Sequence, residues 1–595
     1  MRAPDSLTFG TLAASELWRR GARRVKSGPL YRWRFSSNNA AKIISAPLDL
    51  RPGNSELARN YYGGQFTFAG ETVETNGSSP FTLEVANTEW MEELHNFRWL
   101  RHLRAANSEL AKSNAVAHIS DWIDLWGTRH QSYPWHSEIV AKRLIAWLSH
   151  GQVLFQNRID SSFRKYLKST TKQTRYLQYN AQHTRDGYPR LLSYIALAFS
   201  GLCIDGSEKI LHSASKLLAR ELARQILPDG GHISRNPIVL LELLADLIPL
   251  SQLYQERGYP PSPELISAID RMTGALKFFK HNNDNLAQFN GVGQTPSELL
   301  ARVLSFDETS SSAPLSMPHS GYERLQGRKT TVIMDTGRPV NRATATNSMA
   351  GTLSFELTSG ATRFITNCGV SQIDRSKYIH FARATAAHST VTVEDTSSSR
   401  YAGESRLHQM LPSSLVHAPS NVSSSRQSLD GFNQVTASHN GYEKNFCLIH
   451  ERELNLSTNG NQLNGIDRLI TPPNHKKIDS SYAIRFHLPP QLSASKLSSG
   501  YSILIAAPNG DAWTFSCVDA PIGLEESIYF SGPEQPRKTE QIVVYGTSSQ
   551  HQEIRWTFER RQKASNERNR RSTDTPVETP DLLDALNIKA DDKKV

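Results

Sequence analysis

Cysteine is scarce in this 595-residue sequence: Cys203, Cys368, Cys447 and Cys517 are the only four, and no CxxC pair occurs. That excludes a disulfide framework and a thiolate-built zinc module. Long apolar runs are also lacking, and without 18 consecutive apolar residues no segment reads as a membrane-spanning helix. A conventional secretory signal is not visible, since Thr8 to Ala14 is short, mildly apolar and followed rather than preceded by the arginine cluster.

What is present suits a folded, multidomain chain. Hydrophobic residues at 38% and charged residues at 21% lie near globular norms, and the length far exceeds the ~150 residues expected per domain. The net charge of +10 is concentrated at the two ends, in Arg19, Arg20, Arg23, Arg24, Lys26, Arg32 and Arg34 and again in Arg560, Arg561, Lys563, Arg568, Arg570 and Arg571. Such runs read as solvated charge, and no nucleic-acid partner is expected. A positive field of this kind would steer a polyanion towards the protein.

Residues 1–80 mix basic, helix-like sequence with Pro/Gly stretches and read as an N-terminal extension. From Asn87 to about Ser305 the apolar period is helical: Val140, Leu144, Trp147 and Leu148; Leu191, Leu192, Ile195 and Phe199; Leu218, Leu222 and Ile226; Leu299, Leu300, Val303 and Leu304. Six or more packed helices are predicted over 81–308. The Ser/Thr/Pro-rich stretch at 309–319 reads as a linker. Over 320–560 the alternation turns strand-like, with runs at Thr331 to Met334, Thr352 to Leu357, Thr362 to Thr366, Thr390 to Val393, Ile484 to Leu488, Ser502 to Ala506, Trp513 to Ser516 and Gln541 to Tyr545. Asn509 and Gly510 predict a type I′ hairpin between the sixth and seventh of these. Together the runs predict an antiparallel β-sandwich. The charged stretch 561–595 lacks aromatics and is expected to be disordered, apart from a short helical pattern at Leu582 to Ile588.

Several phrases resemble the heparinase II/III-like family. In the helical half they are Tyr133, Pro134, Trp135 and His136 leading into Arg143 and Trp147, and the run from Asp229 through Gly230, Gly231, His232, Arg235 and Asn236 to Pro237. In the β half they are Ser320 to Leu325, Gly351 to Leu357, Asn367 to Gly369, Arg383 to Thr390, His439 to Glu443 and His450 to Arg452. The resemblance implies an incomplete (α/α) toroid followed by an antiparallel β-domain, and a polysaccharide lyase acting by β-elimination on an acidic, uronic acid-containing glycan. It also implies a cell-envelope or periplasmic setting, in tension with the absent signal. The alternatives are a non-catalytic glycan-binding or envelope-biogenesis protein, and a glycoside hydrolase using two of Asp186, Asp229 and Glu242.

Elimination needs a group to neutralise the sugar carboxylate, a base for the C5 proton and an acid for the leaving oxygen. His232 and Arg235 follow a Gly-Gly turn just before a helix starting at Pro237, where a helix N-terminus favours anions. Asn236 suits both an N-cap and a substrate contact. His388 opens a strand, where the resemblance implies a functional histidine. Tyr188 is a candidate acid. Trp135, His136 and Arg143 are candidate substrate contacts, with core packing the competing reading for the tryptophan. The chain departs from the family pattern after the Asp-Gly motif, where Ile238, Val239 and Leu240 stand instead of the usual tyrosine. The family's metal positions fall on Asn347 to Ala350 and Asn367, a poor donor set for zinc, so no metal or other cofactor is expected.

Overall fold

The computed structural model describes residues 3–26, 28, 35, 42–155, 160–307, 312–340, 347–401, 415–473, 475–532 and 535–561. The helical stripes become α1 (Ala3–Lys26), α2 (Ser55–Tyr62), α3 (Thr88–Asn96), α4 (Leu100–Ala106), α5 (Glu109–Trp126), α6 (Ser137–Leu154), α7 (Ser161–Asn180), α8 (Tyr188–Cys203), α9 (Glu208–Gln225), α10 (Pro237–Glu256), α11 (Pro263–Phe279) and α12 (Ser297–Leu304). Side chains of Asn87, Ser108, Asp160, Asn236 and Ser262 cap α3, α5, α7, α10 and α11 by accepting backbone N–H bonds. Sequential helices pack on one another as an incomplete (α/α) toroid. The stripe Val140, Leu144, Trp147 and Leu148 of α6 is wholly buried. α10 is long and apolar enough to cross a bilayer, yet it lies buried in this half as a core helix.

Residues 42–80, expected as an extension, are built into the helical half. Ile43 bridges to Ile204, and Leu50, Tyr61 and Phe66 join its core. Arg51 reaches Asp246 at 2.8 Å and Glu242 at 2.9 Å on α10. The sequence reading missed this because the stretch carries no long amphipathic period, only short elements that become apolar in company. The residues of the 309–319 linker that are described end in strand Ser316–Met317, which pairs with Tyr322 and Glu323.

Among the described residues the β half holds three large antiparallel sheets of five, four and eight strands and a two-stranded ladder of Arg400–Tyr401 with Leu415–His417. The five-stranded sheet is a simple meander from Ser316–Met317 to Thr362–Ile365. The eight-stranded sheet contains two long paired strands at Ile449–Ser457 and Gln462–Ile470, with Glu553–Arg561 inserted between the second of these and Ala512–Ser516. Phe355 stacks on Trp556 with centroids 5.7 Å apart, and Phe486 meets the same indole edge-on at 4.9 Å, joining strands of all three sheets in one core. The Ser502–Ala506 and Ala512–Ser516 hairpin forms as expected, but only Gly510 has positive φ (81°), with its N–H bonded to Ala507 O. The turn therefore runs over Pro508 and Asn509 and relaxes at Gly510, because Pro508 fixes a negative φ. The tail beyond Arg561, including Leu582 to Ile588, lies outside the described residues.

Candidate functional site

The two halves are locked by a polar knot grown from the Asp229 to Asn236 loop. Arg235, held at φ +56° and 8% exposed, donates to Ser320 O (2.7 Å), Gly321 O (2.8 Å), Arg338 O (3.2 Å) and Asp335 Oδ1 (2.5 Å), with its guanidinium over the Tyr322 ring. Burial opposes its charge, but the facing Asp335 raises its pKa. Tyr322 returns a bond to Arg235 O. Asp229 accepts from Ser320 N and Oγ while fixing its own turn through Gly231 N. Every donor direction of the Arg235 fork is thus consumed in docking the β half, so the expected substrate clamp is a structural bolt.

His232 shares that fate. It is 1% exposed, Nε2 donates to Gln225 Oε1 at 2.9 Å, and Nδ1 accepts from Ser234 N at 3.1 Å. Glu221 orients the Gln225 amide. Burial pushes the imidazole down to about 3, so it is a neutral spacer in the turn. Trp135 and Arg143 are also corrected. Trp135 is wholly buried with Nε1 bonded to Trp126 O, and Arg143 is wholly buried on the Trp122 ring, bonded to Gln173, His95 O and Pro134 O. The arginine on an amphipathic segment that suggested a cleft cation is buried in the core on amide and backbone oxygens, its pKa pushed well down by burial and its Nη2 without a hydrogen-bond partner among the described residues.

A different set of polar groups lines the junction. Asn236 caps α10 through Oδ1, which accepts from Ile238 N, while its buried Nδ2 has no hydrogen-bond partner among the described residues. That amide lies beside Gly291, where an added Cβ would stand 3.3 Å from Nδ2 and 2.9 Å from the Asn347 Cβ. Only glycine, here at φ +97°, leaves this space open. Asn347 Oδ1 accepts from Arg375 at 3.0 Å, at the start of α13 (Arg375–Ala382). Arg375 is half-buried, its pKa is lowered by burial, and among the described residues no carboxylate lies within ion-pair distance.

The backbone from Asn347 to Gly351 leads on to His388, a reach of at most roughly 14 Å. A Cβ at Gly351 would stand 2.6 Å from His388 Cδ2 and 3.1 Å from Nε2. His388 Nδ1 donates to Ala384 O at 2.9 Å, which leaves Nε2 as the lone-pair nitrogen, without a hydrogen-bond partner among the described residues. Burial pushes this imidazole down to about 4. Its seat is rigid: Ser389 N donates to Asn367 Oδ1, and Arg452, paired with Asp467, donates to Ser389 O. Between the ends of the segment, Tyr401 donates to Ser348 Oγ at 3.1 Å, with Arg383 over its ring and its phenol pushed up by burial to about 12.

The helical rim adds a second polar layer. Tyr188 begins α8, half-buried among Arg98, Lys142, Glu242 and Asp246, and burial raises its pKa. Arg98 pairs with Glu242 at 2.9 Å and Lys142 with Glu138 at 2.9 Å. His136 sits at the start of α6, half-buried, its ring 4.9 Å from Tyr133. The carboxylates weighed for hydrolysis are all engaged: Asp186 with Arg224 and Arg190, Asp229 with Ser320, Glu242 with Arg51 and Arg98. Among the described residues no group of three or more His, Cys, Asp or Glu side chains is placed to hold a metal. Arg375 and Tyr401 escaped the sequence reading, and Asn347 entered it only as a poor metal donor, since each lies in an ordinary polar stretch and gains meaning only from its neighbours across the fold.

Residues 309–557 match the family model described as Heparinase II/III-like, C-terminal. A curated relative, FtsZ-localized protein C of Caulobacter vibrioides (strain NA1000 / CB15N), is 28% identical over 528 residues, 87% of this chain and 90% of that protein. Among solved structures, a heparinase III superposes with a TM-score of 0.70 at 14% identity, covering 92% of this chain and 90% of that one. A heparan sulfate lyase HepC mutant from Pedobacter heparinus gives 0.59 at 15% identity, covering 93% and 90%. At those identities the superpositions establish the fold: toroid plus β-sandwich, as in heparinase III.

Proposed function

We propose that this chain, whose β half belongs to the heparinase II/III-like family on a heparinase III fold, binds an acidic glycan at the junction of its two halves. The observation that carries this is Arg375, a half-buried guanidinium with no carboxylate within ion-pair distance among the described residues, bonded to the Asn347 amide that shares the Gly291 opening with the Nδ2 of Asn236. A sugar carboxylate entering there would satisfy both donors and compensate the charge, which is what a partly desolvated guanidinium requires. Tyr188 and His136 on the helical rim would meet neighbouring sugar units.

A second reading, β-elimination, is favoured by the state of His388. Nε2 is a neutral lone-pair nitrogen on a fixed ring, suited to taking the C5 proton as the C4–O bond breaks and a C4–C5 double bond forms. Tyr401, bonded to Ser348 of the segment that leads to His388, would give its phenolic proton to the leaving oxygen. A pKa of about 4 makes His388 a weak base, so binding without turnover is the simpler reading.

Incubating the purified chain with uronic acid polymers separates the two. Binding without new ultraviolet absorbance supports the first, absorbance from an unsaturated product supports the second, and binding to none of the polymers removes both. The likeness to FtsZ-localized protein C supports a site of action at the cell envelope where FtsZ localises. A fluorescent fusion imaged with labelled FtsZ tests this, and a uniform signal would reject it.

A further inference from the structure

Away from the Asn236 to His388 segment, a separate cavity of about 190 Å³ opens where the 280–295 loop of the helical half meets strand ends of the β half. It is smaller than the ~300–1,000 Å³ of drug-sized sites and on the scale of one sugar ring. Among the described residues no carboxylate and no lysine line it. Arg363, the one charged residue of the lining among the described residues, is neutralised from behind by Glu356 at 3.4 Å, and Glu356 also binds His281 at 3.0 Å. Yet among the described residues neither the Nε of Arg363, a residue 4% exposed, nor the Oγ of Ser531, 7% exposed, has a hydrogen-bond partner. Gln288 donates to Tyr529 OH at 2.7 Å and fixes that phenol in the wall. The amides of Asn285 and Gln491 complete the lining.

An electroneutral cavity with two orphaned buried polar groups, several amides and one aromatic wall matches a neutral, hydroxyl-rich ligand. An anion would find no uncompensated charge there, and an apolar ligand would leave the orphans unsatisfied. We propose that this cavity binds one neutral sugar unit, a hexose or N-acetylhexosamine, making it a second glycan contact independent of the junction site. Hydroxyl or acetamido oxygens accept from Arg363 Nε and Ser531 Oγ, and the pyranose face lies against Tyr529.

Two hydrogen bonds join the cavity wall to the residue after His388. Gln288 Oε1 accepts from Thr366 Oγ1, and Thr366 O accepts from Ser389, the residue after His388. Ligand-observed NMR of the full chain with glucose and with N-acetylglucosamine is the test. Saturable binding to at least one sugar is expected, weakened about tenfold or more by Gln491→Trp, which fills the mouth from an exposed position, and severalfold by Ser531→Ala. Arg375→Met should leave it unchanged, which separates this site from the acidic-glycan proposal. Absence of binding to both sugars, binding indifferent to both cavity variants, or tighter binding of inorganic sulfate would overturn the assignment.

Discussion

The loop from Asp229 to Asn236 and the turn from Ala384 to Ser389 look alike in sequence, each presenting a histidine after small residues and ahead of a regular element, yet the fold treats them oppositely. In the first, both nitrogens of His232 and the whole Arg235 fork are spent on protein partners. In the second, His388 gives one nitrogen to Ala384 O and keeps the other. A histidine in a promising motif is therefore judged by how many of its hydrogen-bonding positions remain, and that number depends on residues far away in the chain.

Acid titration exposes what the two turns share. Burial holds His232 at about 3 and His388 at about 4 in the folded protein, against ~6.5 unfolded. Between pH 6.5 and those values the unfolded chain takes up protons that the folded chain refuses, so stability rises with pH across the window and is lost on acidification. Each histidine accounts for roughly 3 to 5 kcal/mol at full protonation of the unfolded state. His281 and His487, at about 4 and 3, act in the same direction. Denaturant midpoints should fall steeply from pH 6.5 to 4, and a flat profile would mean that these imidazoles are solvated.

Substitution then separates the turns. Arg235→Met leaves Asp335 buried without its cation and should cost about 3–5 kcal/mol, read as a lowered urea midpoint and loosened docking of the β half. His232→Ala strands Gln225 and Ser234 and should cost about 1–3 kcal/mol without altering glycan affinity beyond that. If His232→Ala instead abolished binding at unchanged stability, the contrast between the turns would be reversed.

The fold was legible because period and turn chemistry are local: stripes such as Val140 to Leu148 and alternation such as Ser502 to Ala506 read directly as elements. The site was legible only where one residue carries its own signal, as Asn236 does before Pro237. Arg143 and Trp135 were misread because partners on neighbouring elements, Gln173 and His95 for the guanidinium and Trp126 for the indole, decide whether a charge or an indole is spent. Arg375 went unread for the converse reason, since nothing in sequence announces that a surface-like arginine will lack a carboxylate.

Smaller effects sharpen the second turn. Asn236→Ser keeps an N-cap oxygen, so stability should change by no more than a few tenths of a kcal/mol from the cap itself, while loss of Nδ2 should weaken acidic-glycan binding severalfold. His388→Gln should leave the denaturant midpoint nearly unmoved and remove any elimination activity. Retained turnover would pass the proton-accepting role to another residue.

Calorimetric titration of an oligouronate into the full chain and into Arg375→Met bears most directly on the central claim. Saturable binding that falls about tenfold or more in the variant, with both proteins unfolding at the same temperature, is the predicted result. Equal affinities, or no heat of binding to either protein, would contradict it.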